Sequence, residues 1–414
     1  MKKILFTHIF LLIIFILKSN ANTFTEAQVV NKTLENNMRI KGYMNKYKGA
    51  VEAISLATFL PNPMIGVEFM EIDQNNFDLK SAKQKNIEIS QKIPFPIKYP
   101  FMIGEAKENS EIEKYNLEYI RRQIGIKAYV LYASLFKIKK EIEIADELRK
   151  SWQQLSQIVS SRYNRNYKNS FSFMIDSELA QVENEYIKLN QEFEIVSKEI
   201  YNISNKEIII KPEDVLEEPE IIEVTLDFET LERMALNNAP EVLMAQAMVK
   251  MKENKKNISY LEYLPDFIIK FKKEIEPLSN NYSVMFEAEV PLWFFSNQQP
   301  KIGISVNEYE EAIRLYEETK NMTISEIKEY YEQIKINWRQ IKLYSEVLMP
   351  RAEANLKSTV FDFRSGKGDF LMVLESQRML LKLKKEYYKS VEKYVENYRK
   401  LLSCCAVVFL EDKI

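Results

Sequence analysis

The sequence predicts an α+β protein in which very long, coiled-coil-like helices alternate with a small set of amphipathic strands. Three observations carry this. Two stretches of about sixty residues are nearly free of glycine and proline. Four short segments alternate apolar and polar residues with period two. The order of these elements in the first half of the chain returns in the second.

The long stretches run from Lys107 to about Arg165 and from Pro300 to about Phe363, interrupted only by Gly125, Gly303 and Pro350. At 1.5 Å per residue each would extend roughly 90 Å, far beyond the diameter of a globular domain. In the second stretch Tyr309, Ile313, Tyr316, Ile327, Tyr330, Ile334, Trp338, Ile341, Tyr344 and Leu348 recur at three- and four-residue intervals, broken at Lys320 and Thr323. That is the spacing of a helix–helix seam.

Strands are expected near 63–72, 86–95, 266–274 and 281–292. In them Ile65, Val67 and Phe69 oppose Met64, Gly66 and Glu68, and Ile87, Ile89 and Ile93 oppose Glu88, Ser90 and Lys92. Phe267, Ile269 and Phe271 oppose Ile268, Lys270 and Lys272. Tyr282, Val284, Phe286, Ala288 and Val290 oppose Ser283, Met285, Glu287 and Glu289. One apolar and one charged face suits a barrel wall between lipid and water, and also an ordinary half-buried sheet. Four strands cannot close around a pore, so the barrel reading requires several chains.

The N-terminus reads as an export signal: Lys2 and Lys3, an apolar run from Ile4 to Leu17, and the small residues Ser19 and Ala21 flanking Asn20. The run is shorter than the roughly 20 residues of a spanning helix. Cleavage is expected after Ala21, leaving a mature chain from Asn22. The only histidine, His8, leaves with the signal, so the mature chain has no imidazole for acid–base chemistry or metal ligation. Its net charge, −2 for the full sequence, becomes −5 once three signal lysines are gone, which is not the balance of a nucleic-acid binder. No nucleophile elbow, phosphate loop or zinc spacing is present, so catalysis, cofactors and metal are not expected. The 16 methionines read as flexible packing rather than metal handling. Cys404 and Cys405 are adjacent and imply no disulfide framework.

Thr23-Phe-Thr-Glu-Ala-Gln, Asn36-Asn37 and Leu60-Pro61-Asn62-Pro63 in the first half correspond to Thr225-Leu-Asp-Phe-Glu, Asn237-Asn238-Ala-Pro240 and Leu264-Pro265-Asp266 in the second. The expected organisation is a signal peptide at 1–21, a first repeat at 22–210, a linker at 211–224, a second repeat at 225–405 and a tail at 406–414. Two prolines and five acids between Lys211 and Glu220 are expected to keep the linker solvated and free of helix.

With Leu60-Pro-Asn-Pro63, Gln91-Lys-Ile-Pro-Phe-Pro-Ile-Lys98, Tyr263-Leu-Pro-Asp266, Val290-Pro-Leu-Trp293 and the run from Phe363 through Gly366, Asp369 and Glu375 to Arg378, the sequence resembles the TolC-like outer-membrane efflux proteins, including the CzcC and CusC types. The resemblance covers nearly all of the mature chain. It implies a homotrimer in which each protomer gives four strands to one twelve-stranded β-barrel, with long α-helices forming a periplasmic tunnel. Such a channel is a passive exit duct of a tripartite system. Its partners are the lipid bilayer, a periplasmic membrane-fusion adaptor and an inner-membrane pump, of the RND type rather than the ABC type. The sequence departs from the family pattern at Ser170, where glycine is usual, at Met38, at Ile97, and in lacking the lipid-bearing cysteine of the CusC type. The runner-up of another class is a periplasmic coiled-coil adaptor or structural protein without a pore.

The resemblance also implies roles for named residues. Asp176 and Asp369, just after the two polar turns, would form a periplasmic gate; the alternative is that each caps a helix N-terminus. Ser170, Phe363, Arg364, Gly366 and Lys367 would form the tip that meets the adaptor, with Phe363 and Phe370 as apolar anchors and Gly366 and Gly368 allowing close approach. Phe95, Tyr99, Trp293, Phe294 and Phe295, at the strand ends, suit a membrane-interface aromatic belt or core packing.

Overall fold

A computed structural model describes residues 22–72, 79, 82–162, 170–275 and 281–405. The expected export signal at 1–21, the expected first polar turn before Ser170 and the expected tail at 406–414 lie outside the described residues. No described helix is long and apolar enough to cross a membrane.

From its N-terminal end the first half reads β1 (Thr23–Phe24), α1 (Glu26–Asn36), α2 (Met38–Thr58), β2 (Met64–Met70), β3 (Gln84–Ile93), α3 (Tyr99–Arg162) and α4 (Ser170–Ile203). After β4 (Val215–Leu216) follow α5 (Phe228–Asn238), α6 (Pro240–Leu261), β5 (Asp266–Ile275), β6 (Tyr282–Glu289), α7 (Gln298–Leu343), a π-helical turn at Tyr344–Leu348, α8 (Met349–Ser365) and α9 (Phe370–Cys405). Two short helices, two strands and two long helical arms thus occur twice.

Local chemistry matches between the halves. Thr25 and Gln28 form a reciprocal capping box at α1: Thr25 Oγ1 accepts the Gln28 N–H at 3.1 Å and Gln28 Oε1 accepts the Thr25 N–H at 3.2 Å. At the corresponding start of α5, Asp227 accepts the Thr230 N–H at 3.2 Å. The break between the short helices falls at Asn37 and at Ala239, both in extended backbone (φ −61°, ψ 124° and φ −65°, ψ 125°). Met38 and Pro240 then occupy the same first-helical position. Proline suits that position because its missing N–H would be unpaired there anyway, but it is not required.

The chain divides into two compact units, each drawing segments from both halves. One holds residues 39–120 and 232–326, with a single antiparallel sheet in the order β2-β3-β5-β6. The strands end close to where alternation placed them. The second and fourth segments are cut at Ile93 and Glu289 because Pro94 and Pro291, lacking N–H, cannot continue a ladder. In this unit α3 and α6 approach closely at Gly104, where an added Cβ would lie 2.8 Å from Asn254 Oδ1.

The other unit holds, among the described residues, 22–38, 121–162, 170–231 and 327–405 and contains the apolar core, built around Tyr132, Leu135, Trp152, Ile175, Phe193, Ile200 and Phe370. Here the linker departs from its expected solvated state. Val215 and Leu216 pair in parallel with Thr23 and Phe24, Leu216 is buried, and Asp214 is 2% exposed. The Tyr132 hydroxyl oxygen lies 2.8 Å from the carbonyl oxygens of both Phe24 and Glu217 and offers its one proton between them, fastening this ribbon to α3.

The buried stripe of α7 runs through Ser305, Ala312, Thr323, Ile327, Ile334, Asn337 and Ile341. Thr323, where the sequence pattern breaks, stays in the stripe because its hydroxyl donates to Thr319 O at 2.9 Å and needs no outside partner. Ile313 is displaced from it and is 37% exposed. Cys404 and Cys405 form no disulfide; Cys405 is buried, and burial pushes its pKa up to about 11.

Candidate functional site: the amphipathic sheet and the helical tip

Cross-strand register stacks the apolar residues of the sheet in rungs. Ile65, Ile89, Phe271 and Val284 face one another in order across the four strands. Nothing among the described residues covers this face: Ile65 is 74% exposed, Val284 56% and Phe286 77%. Leaving a whole row of branched and aromatic side chains in water opposes the main driving force of folding, so the face needs an apolar environment.

The opposite face is charged and internally paired. Lys272 meets Glu68 at 2.8 Å, Lys270 meets Glu287 at 2.7 Å, and Lys92 meets Glu289 at 3.1 Å. Among the described residues the outer strands β2 and β6 have no partner on their outer edges. Each therefore offers a row of backbone donors and acceptors to another strand.

The first residue of β2, the last of β3, the first of β5 and the last of β6 lie at one end of this antiparallel sheet, the end that leads into the helices. There Trp293, Phe294 and Phe295 form a turn and are 70%, 48% and 57% exposed, with Trp293 and Phe294 each packed edge-on to Phe295. Tyr263 packs on Phe294 at 6.1 Å. Phe95 and Tyr99 are half-buried, Phe95 lying 5.8 Å from the Phe267 ring.

Asp266, absent from the expected site residues, is the polar hub of this junction. Its Oδ1 accepts from Lys98 Nζ at 2.7 Å and from the Phe95 N–H at 3.0 Å, while Oδ2 lies 3.6 Å from Lys92 Nζ. Lys98 is 7% exposed and also donates to Leu264 O at 3.4 Å. One carboxylate thereby ties the end of β3 to the start of β5. The Tyr263-Leu-Pro-Asp266 motif contains it, but nothing in that spacing marks the lysine 168 residues away.

The tip is described on its second-half side. Gly366 closes α8 with φ 82° and ψ 11°, a left-handed conformation that glycine adopts without a Cβ clash. The N–H groups of Lys367 and Gly368 both donate to Asp362 O at 3.0 Å. A Cβ on Gly368 would sit 2.9 Å from Asp362 Cβ and from the Phe363 nitrogen, so this turn has no room for a side chain there. Asp369 is exposed and its Oδ1 accepts the Leu371 N–H at 3.1 Å, capping α9.

The expectation that Phe363 and Phe370 are apolar anchors for a partner is corrected by the fold. Phe363 is 3% exposed and Phe370 0%; the rings pack on each other at 5.6 Å, and Phe370 also meets Phe171 at 5.4 Å and Trp152 at 6.3 Å. They hold α8, α9, α4 and α3 together. Exposed apolar residues flank the turn at Phe361 (70%), Leu371 (45%) and Met372 (59%), and Phe361 lies beside a groove lined by Leu356, Val360, Leu380 and Arg364. Arg364 and Lys367 are exposed. Ser170 is the first described residue of α4. Asp176 is exposed on α4, two residues before Glu178, which pairs with Arg378 of α9.

Ser376 accepts from Asn355 of α8 at 3.0 Å, and Gln377 donates to Ser151 of α3 at 2.9 Å. Arg378 reaches Glu178 of α4, whose carboxylate raises the guanidinium pKa above its usual value. Three consecutive residues thus address three different helices.

No family model matches the sequence, and no curated protein matches it. Solved structures do. The outer membrane protein VceC of Vibrio cholerae superposes with a TM-score of 0.77 at 13% identity, over 92% of this chain and 95% of that one. The Campylobacter jejuni outer membrane channel CmeC gives 0.79 at 12% identity, over 92% and 85%. CusC, described as forming a transmembrane channel, gives 0.78 at 13%, over 94% and 95%. Together with the paired repeats, the four-stranded amphipathic sheet and the long helical arms, these likenesses show that the chain has the protomer fold of the TolC-like outer-membrane efflux channels.

Proposed function

We propose that the protein is the outer-membrane channel of a tripartite efflux system, a homotrimer whose protomers each give four strands to a twelve-stranded barrel. The observation that carries this reading is the sheet itself: an uncovered apolar face, an ion-paired opposite face and two open edges. Three copies joined edge to edge remove the open edges and turn every apolar rung outward to lipid and every ion pair inward to water. The exposed cluster at Trp293–Phe295 lies where the strands leave the hydrocarbon, a depth that suits amphipathic rings. The two repeats then serve as two strand pairs on two sets of helical arms, with 211–224 as a packed crossover. The helices form the periplasmic duct, open to an adaptor and an inner-membrane pump, and transport is passive. Membrane fractionation followed by unheated electrophoresis tests this. A detergent-resistant trimer in the outer membrane is expected; a monomer soluble without detergent contradicts the reading.

In this reading Asp176 and Asp369 place six carboxylates near the periplasmic entrance, where crowded negative charge favours cations. The double variant Asp176→Asn, Asp369→Asn is expected to lose cation preference in single-channel recordings. Unchanged selectivity would reduce Asp369 to its capping role.

Adaptor docking is proposed at the turn 364–367 and the adjoining groove, with Phe361 rather than Phe363 as the apolar anchor. Gly366→Val places a β-branched residue at positive φ, at a cost of roughly 1–2 kcal/mol. The sheet belongs to the other unit and shares no residue with this turn, so trimers should still assemble while efflux and crosslinking to the adaptor fall. Normal efflux and crosslinking in the assembled variant would exclude the turn as the docking point.

A further inference from the structure

The parallel ribbon between β1 and β4 brings the start of the mature chain against a buried acid. Asp214 is 2% exposed, and its Oδ2 accepts the Lys211 N–H at 2.8 Å. Its Oδ1 accepts from the backbone nitrogen of Asn22 at 2.9 Å. The same residue is held from its other side, since the Val215 N–H donates to Asn22 O at 2.8 Å. Lys139 lies close enough for Asp214 to influence its titration, but its ammonium donates to Pro212 O at 3.3 Å. These two hydrogen bonds to the carboxylate come from backbone N–H groups, and a buried carboxylate is costly without a full counter-charge.

Asn22 is also the residue that the Ser19-Asn20-Ala21 pattern places just after the cleavage point. We propose that Asp214 is the receptor for the α-ammonium group that export processing creates at Asn22, so that removal of the signal segment locks the N-terminal ribbon. In the cleavage the Ala21–Asn22 amide bond breaks and one water is consumed. Ala21 leaves as a carboxylate and the Asn22 nitrogen, protonated, becomes an ammonium. Before cleavage that nitrogen is a neutral amide with one hydrogen to give. Afterwards it carries three hydrogens and a positive charge to set against the carboxylate. The ribbon joins the first helix of one repeat to the segment leading into the other, so the charge pair forms in the exported chain alone. This inference stands on the ribbon and the export signal and does not depend on the channel reading.

The test uses the full-length exported protein. Mass spectrometry of its N-terminus is expected to give Asn22. Acylation of the α-amine at pH 7 is then compared in folded and denatured protein. Pairing with a carboxylate raises the amine pKa above its ordinary value of about 7.7–8, leaving less free base. An amine pKa higher by about 1 cuts the free base, and with it the labelling rate, about tenfold. The folded parent is expected to label at least about tenfold more slowly than the denatured chain, and Asp214→Asn to recover most of that difference. Insertion of one alanine after Ala21 keeps the Asn22 amide and its hydrogen bond but moves the charge by about 3.8 Å. That chain should label like the denatured one while keeping the parent's assembly, which carries the test even if Asp214→Asn does not fold. A different N-terminal residue, or equally slow labelling in the parent and the insertion variant, would overturn the proposal.

Discussion

Replacing Val284 with lysine is expected to abolish the assembled trimer in the outer membrane, whereas Met285→Gln, one residue further along β6, should leave it intact. Val284 sits mid-strand in the apolar rung with Ile65, Ile89 and Phe271 and is 56% exposed. If that exposure is to lipid, a cation there costs about 2–4 kcal/mol in each copy, because at mid-depth the ammonium has neither water nor a counter-ion. In a trimer three copies carry the penalty at once. Met285 is equally exposed, at 55%, but belongs to the face of Lys270 and Glu287. A polar amide costs little on that face. If the sheet were bathed in water on both sides, both variants would behave like the parent. Heat-modifiable mobility of outer-membrane extracts separates these outcomes.

The second large effect is expected from Asp266→Ala. This change leaves Lys98, 7% exposed, without its 2.7 Å partner and leaves the Phe95 N–H unpaired. Removing one member of a buried ion pair costs about 3–5 kcal/mol, most of it from the charge that remains. The double variant Asp266→Leu, Lys98→Met removes both charges and should recover much of the loss. The damage should fall on the junction between β3 and β5 and leave the tip intact. Protease digestion reads this: early cuts are expected around residues 94–98 and 262–266 in the single variant. An unaltered digestion pattern would show that the hub does not hold the junction.

These effects divide along the line between what local pattern carries and what only the fold brings together. Alternation with period two is enough to place β2, β3, β5 and β6, because each strand has one face that must leave water. The long arms follow from the scarcity of glycine and proline, and Gly366 follows from the turn it must make. Residues whose role depends on distant partners are not legible in this way. The two-residue ribbon of β1 and β4 pairs positions 192 apart and has no periodicity to detect. Lys98 and Asp266 meet only because β3 and β5 are neighbours. Phe363 resists a reading from sequence because a phenylalanine beside a polar turn looks the same whether it points inward or outward. It packs on Phe370, which in turn meets Phe171 and Trp152, so the cluster that takes it in is assembled from four helices. Asp214 reads as linker charge for the same reason.

The central claim, that this sheet is one third of a barrel wall, is tested most directly by single cysteines placed at each position from Tyr282 to Glu289. The background carries Cys404→Ser and Cys405→Ser, and the protein stays in intact outer membranes. Each variant is labelled with a charged, water-borne maleimide and, separately, with a lipid-soluble one. Strict alternation is predicted: positions 283, 285 and 287 take the aqueous reagent, and 284 and 286 take only the lipid-soluble one. Uniform aqueous labelling along β6 would contradict it.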